Sequence, residues 1–153
     1  MLTLYVSPSG NDRSSGRARV PGASDGPFAT LERARDETRR IKKEGGGLPS
    51  GGLTVELSGG TYELGRAFEL SAADAGTREA PVLYRAREGE EVRITGGRQL
   101  SGFAPVTDPR ILARLDPEAH AGVVQVSLKA AGVSDYGKAG GGGLELFVDD
   151  EPM

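Results

Sequence analysis

Apolar and polar residues alternate over residues 3–7, with Leu4 and Val6 on one side, and the run stops at Pro8-Ser9-Gly10-Asn11-Asp12, a cluster of turn-forming residues. This predicts a first strand followed by a polar loop, since residues 13–26 show no periodicity. Leu31, Ala34, Thr38 and Ile41 then recur at steps of three and four, the spacing of a helix with one apolar face. Thr30 is its predicted N-cap, Glu32 complements the positive helix end, and Phe28 packs back as a staple. The helix is expected over residues 30–43. Leu31, Ala34 and Ile41 should face the strands, while Arg33, Arg35, Arg39, Arg40 and Lys42 point to solvent. Gly45-Gly46-Gly47 ends it.

The alternation returns at Leu53, Val55 and Leu57, predicting a half-buried strand with Thr54, Glu56 and Ser58 outward. Gly59-Gly60-Thr61-Tyr62 reads as a turn, and further strands are expected over residues 68–71, 82–86 and 92–95. Val55 and Leu83 are 28 positions apart, and Phe68 and Ile94 are 26 apart. Two strand pairs sharing one period predict successive coils of a parallel β-helix. After Phe103 the pattern changes. Asp108-Pro109 opens a short helix through Ile111, Leu112 and Leu115, a strand follows over residues 123–128, and a glycine run covers 140–143. A last strand over 144–148 leads to Asp149-Asp150 as a hairpin tip, whose second strand is expected to start at Pro152-Met153 and to run on beyond it.

Composition narrows the function. Of 153 residues, 37% are apolar and 5% aromatic, a lean core, while 24 Gly and 9 Pro fit many short strands joined by tight turns. A net charge of −3 argues against a nucleic-acid or anionic-membrane surface, and predicts a neutral or weakly polar partner. Absence of cysteine excludes disulfides, thiolate metal sites and thiol nucleophiles. The first residues carry no basic stretch followed by the apolar run of a signal peptide, and no later run reaches membrane-spanning length.

Glycosidic bond cleavage commonly uses two carboxyl groups, one of them held protonated. Asp149, Asp150 and Glu151 form the densest acidic cluster, but neighbours at a hairpin tip are ordinarily solvated turn residues. Glu56 lies on the outward face of a strand, where solvent exposure is the ordinary state. Asn11, Asp12 and Asp25 offer oxygen ligands without the spacing of a calcium loop, and such residues usually satisfy local backbone groups. His120, the one histidine, has no Ser or Cys motif to partner it. Gly96-Gly97 and the 140–143 run lack the Lys-Ser/Thr ending of a phosphate loop. Tyr5, Tyr62, Tyr84 and Tyr136 could stack on sugars, yet scattered tyrosines are mostly packing residues. No catalytic, cofactor-binding or metal-binding residue is therefore assigned, and no cofactor is expected.

Four segments, Tyr5-Val6-Ser7-Pro8-Ser9-Gly10-Asn11-Asp12, Gly26-Pro27-Phe28-Ala29-Thr30-Leu31, Val55-Glu56-Leu57-Ser58-Gly59-Gly60-Thr61-Tyr62 and Ile94-Thr95-Gly96-Gly97, together resemble the N-terminal region of bacterial right-handed parallel β-helix carbohydrate-active proteins. These include glycoside hydrolases of the fucosidase and xylanase type. The segment from Leu146 to Met153 is similar to a later part of that group, where a small β-rich insertion interrupts the solenoid. The resemblance covers most of the chain and implies a mainly β fold: an N-terminal capping α-helix and first β-helix coils over 1–102, then a partial β-rich insertion over 103–153. It implies polysaccharide processing, foremost by a glycoside hydrolase whose catalytic carboxylates lie beyond residue 153, with this segment inactive by itself. A pectate-type polysaccharide lyase, working with a basic residue and Ca²⁺, and a non-catalytic carbohydrate-binding or adhesin solenoid are the alternatives. A polysaccharide or oligosaccharide is the implied partner, and a secreted or periplasmic location the implied compartment.

Overall fold

The computed structural model describes residues 1–138, 143–149 and 151–153, and the chain divides into two compact units, Met1–Gly97 and Arg98–Met153. In the first unit, strand β1 (Leu2–Val6) is followed by helix α1 (Leu31–Glu44), β2 (Leu53–Leu57), β3 (Gly60–Glu63), β4 (Val82–Ala86) and β5 (Val92–Thr95). The strands build two parallel sheets, one ordered β1-β2-β4 and one pairing β3 with β5. Only Ser58 and Gly59 separate β2 from β3, so the chain passes from one sheet to the other at a tight corner. The molecule is mainly β with few helices.

Parallel register decides what is inside. Leu4, Val55 and Tyr84 align across the first sheet, as do Val6, Leu57 and Ala86, while Tyr5, Glu56 and Arg85 form the neighbouring row on the other face. Val55 pairs with Tyr84 rather than with Leu83, so the repeat between these strands is one residue longer than the apolar spacing predicts. A one-residue shift exchanges the two faces of a strand, and Leu83 is accordingly 45% exposed. The second sheet also departs from expectation. Residues 68–71 form no strand, and the partner of β5 is β3, read from sequence as a turn, with Tyr62 beside Ile94. Phe68 instead turns its ring edge-on to Tyr84, 5.8 Å between centroids. Just beyond it, Ser71 caps a short 3₁₀ turn, Ala72–Asp74.

Leu4, Val6, Phe28, Leu53 and Val55 are fully buried, and Leu31, Ala34, Leu57 and Tyr62 join them in one core. Complete burial of a side chain such as Phe28 contributes about 1.5–3 kcal/mol. The whole of β2 is buried, not half of it, because β2 lies between β1 and β4 and even Thr54 and Glu56 on its outward row are covered.

Helix α1 starts where its cap predicts: the Thr30 hydroxyl accepts from the Arg33 amide at 3.2 Å. It stops at Gly45, whose amide donates to Ile41 O. Leu31, Ala34 and Thr38 are buried as expected, whereas Ile41 is half-buried. Its arginines are not a plain solvent face. Arg33 lies over the Phe28 ring at 4.6 Å, Arg35 over Phe68 at 5.8 Å with its side chain 14% exposed, and Arg39 grips Asp74. Long guanidinium side chains cover apolar rings while keeping polar partners, which periodicity alone does not reveal.

In the second unit, β6 (Ala104–Pro105) pairs antiparallel with β7 (Val124–Gln125), and β8 (Phe147–Val148) with β9 (Glu151–Pro152). Helix α2 (Pro109–Leu112) is capped by Asp108, which accepts from the Arg110 amide. The expected strands over 123–128 and 144–148 shrink to two residues each, and the helix ends before Leu115. Val106 is the one buried apolar residue here among the described residues, so no sustained apolar face extends these elements. Gly140, Gly141, Gly142 and Asp150 lie outside the described residues.

Candidate functional site

A shallow hollow of about 280 Å³ lies between the first turn of α1 and strand β3. Thr30, Leu31 and Glu32 line one side, and Thr61, Tyr62 and Glu63 the other. Its walls are fixed from behind. Asp12 accepts from the amides of Ala29 and Thr30, at 2.8 and 3.0 Å, and from the Thr30 hydroxyl at 2.8 Å, which ties the first loop to the helix start. Tyr62 turns its hydroxyl inward, 2.8 Å from Ser58 O and 3.1 Å from Val6 O. Burial first, and then the nearby Glu90, push its phenol up to about 12, so it stays protonated and structural.

The other sequence candidates are dispersed. Asn11 Oδ1 accepts from the Arg13 amide, and Asp25 accepts from the hydroxyl and amide of Ser15, the hydroxyl being the main reason its carboxyl is held below the usual range. Among the described residues no three His, Cys, Asp or Glu side chains converge to hold a metal ion. His120 sits 3.4 Å from Leu115 O, and Tyr136 is 48% exposed. Asp149 adopts a positive φ of 51° at the hairpin turn, Glu151 lies in β9, and Asp150 is outside the described residues.

Glu56 corrects its reading as a solvent-facing residue. Its side chain is 7% exposed, with Arg19 at 3.0 Å on one oxygen and Arg85 at 3.3 Å on the other. Arg19 also lies over the Tyr5 ring at 5.3 Å, so the first loop reaches the outer row of the sheet and shields the carboxylate. Two further buried carboxylates escaped the sequence reading. Glu37 is bound by Arg40 at 2.7 Å and by Arg33 at 3.2 Å, and these partners hold its carboxyl below the usual range against the opposing effect of burial. Asp74 takes a two-pronged bond from Arg39, at 2.6 and 2.7 Å, and accepts from the Ser71 amide. Arg39 above all brings its carboxyl down to about 2. Spacing carried a signal for both: Arg33, Glu37 and Arg40 are helix neighbours, and Ser71 with Asp74 has the form of a capping box.

A general acid needs a carboxyl held up toward neutrality. The carboxyl shifts of Asp25, Glu37, Asp74 and Asp108 all run downward, into ion pairs and turns. What this geometry does is fasten loops and helix to the sheets.

No protein-family model matches the chain. Over 99 residues, 65% of its length, the chain is 32% identical to pectate lyase PEL9 of Emericella nidulans, covering 19% of that protein. Among solved structures it is similar to a glycoside hydrolase, with a TM-score of 0.60 and 30% identity over 68% of this chain and 16% of the other. The chain thus spans about a fifth or less of the length of these proteins.

Proposed function

We propose that the chain is the capped start of a right-handed parallel β-helix in a polysaccharide-processing protein, with the first coils over residues 1–102 and a β-rich insertion over 103–153. The observation that carries this reading is the in-register stacking of β1, β2 and β4 beside β3 and β5, with α1 packed against β1. One amphipathic helix over the first strands protects an end that would otherwise expose strand edges and core. Similarity to both a pectate lyase and a glycoside hydrolase supports a glycan as substrate and leaves two reaction classes.

Hydrolysis is the first reading. The chain's net charge of −3 gives no attraction for a polyanionic glycan, and its buried carboxylates Glu37, Glu56 and Asp74 are held by arginine, which supports placing the catalytic pair on later coils. The pectate lyase similarity favours elimination as the second. A secreted or periplasmic protein is the setting in which either acts on a polymer. The test is to incubate the protein encoded by the full reading frame, and residues 1–153 alone, with neutral cell-wall glycans and with polygalacturonate plus calcium. Reducing ends without ultraviolet-absorbing unsaturated ends mean hydrolysis, and unsaturated ends mean elimination. Activity of residues 1–153 alone that vanished on replacing one carboxylate would refute the assignment of the chemistry to later coils.

A further inference from the structure

The connector between β3 and β4 lies almost wholly at the surface. Across residues 65–80, Asp74 alone is buried, with Phe68 and Ala80 half-covered, and no residue belongs to a strand. What holds it is one face of α1. Arg35 donates to Glu69 O at 3.2 Å and covers the Phe68 ring, Arg39 grips Asp74, and Lys42 donates to Ala73 O and Ala75 O at 3.2 and 2.7 Å. These cations stand four and three residues apart, so a single stripe of the helix serves the whole connector.

Closure also has a cost. The Tyr84 hydroxyl is buried without a hydrogen-bond partner among the described residues, beneath Phe68 and within the fields of Asp74, Arg35, Arg39 and Asp36. A buried hydroxyl deprived of water favours any motion that returns water to it. The two-pronged Arg39–Asp74 pair offsets that cost, being the strong, directional member of the set.

We propose that residues 65–80 form a strap that opens independently of the sheets, with Asp74 as its latch and Arg39 as the catch. Opening bares the Phe68–Tyr84 pair while β1, β2 and β4 stay paired, because their ladders do not run through the strap and Phe68 is its one side chain packed against the core. The latch is ionic, and its Arg39 half is 36% exposed while Asp74 is buried, so salt weakens it modestly.

Arg66 and Arg78 stand exposed near the two ends of the strap and serve as built-in reporters. Limited trypsin digestion of the 153-residue chain, with fragments identified by mass, reads the population of the open strap when reclosing is fast. Asp74→Asn is expected to raise initial cleavage at Arg66 and Arg78 about tenfold, and in both proteins these two sites should be cut well before Arg85 in β4, whose exposure needs the sheet to open. Added salt should speed wild-type cleavage at these sites and leave Asp74→Asn unaffected. Arg39→Lys, which keeps the charge but loses the fork, should fall between the two. Unchanged cleavage in both variants would overturn the latch. Cleavage at Arg85 keeping pace with cleavage at Arg66 and Arg78 in both proteins would overturn independent opening.

Discussion

Replacing Gly52 by Ala tests whether the junction of β2 and β4 is the rigid centre of the first unit. Gly52 has φ of +82°, its amide donates to Pro49 O, and its carbonyl accepts from Leu2 N. A Cβ there would lie 2.1 Å from Pro81 O and 2.7 Å from Pro81 N, both backbone atoms, against the 3.4 Å at which ordinary contact begins. Pro81 O accepts from Leu53 N at 2.9 Å, so withdrawing it breaks the bond that starts the β2–β4 ladder, next to the fully buried Leu53. Gly46→Ala is the control, with φ of +66° and nothing within 4 Å. Both variants incur left-handed strain of about 1–2 kcal/mol and both restrict the unfolded chain, so these effects cancel in the comparison. The remainder is the stranded Leu53 amide, about 1–3 kcal/mol, plus displacement of packed neighbours, again about 1–3 kcal/mol. Gly52→Ala should therefore be less stable than Gly46→Ala by about 2–6 kcal/mol in urea unfolding followed by circular dichroism at equal m. A difference below about 1 kcal/mol would refute the argument, since Pro81 would then be free to move without disturbing the sheet.

Two further outcomes follow from the helix face and its ion pairs. Arg35→Ala should cost about 1 kcal/mol, close to the about 1–2 kcal/mol of the half-buried Ile41→Ala, because both side chains cover apolar surface; a silent Arg35→Ala in thermal melts would show that its guanidinium lies free in water. The Asp74 carboxyl, brought down to about 2 by Arg39, contributes stability present above the ordinary carboxyl range and lost as pH falls toward about 2; allowing for screening by water this is about 1–2 kcal/mol, and the acid limb of the melting profile should flatten in Asp74→Asn.

Legibility from sequence followed the range of the interactions. The first strand, the Thr30 cap, the glycine stop at Gly45 and the strands at residues 82–86 and 92–95 were readable because a few neighbouring residues decide them. Strand β3 was not, because Gly-Gly-Thr-Tyr has the composition of a turn and becomes a strand only by pairing with residues more than thirty positions on. Phe68 misled for the complementary reason: an apolar residue in a strand-like segment buries its ring against Tyr84 without joining any ladder. The repeat length failed by a single residue between β2 and β4, an error that counting apolar positions cannot detect, because pleat parity and not hydrophobicity fixes which residue faces in.

The charged residues show why reading function from an acidic side chain in sequence is hazardous. Glu56, Glu37 and Asp74 are the buried carboxylates among the described residues, and each is held by arginine: two for Glu56, two for Glu37 and one, in a fork, for Asp74. For Glu56 and Asp74 those partners come from 29 to 37 positions away, so nothing near either residue in sequence announces its burial. Burial by itself raises a carboxyl and is how an enzyme keeps an acid protonated, whereas paired arginines reverse the sign and keep the group ionised. At Glu37 and Asp74 the arginines win, which suits a fastener and disqualifies a proton donor. A double-mutant cycle on Glu56 and Arg85 tests the same logic at the third site. A fastener gives a coupling energy in unfolding, about 0.5–3 kcal/mol, whereas a group kept for chemistry would lose activity in the full-length protein on Glu56→Gln with unfolding unchanged.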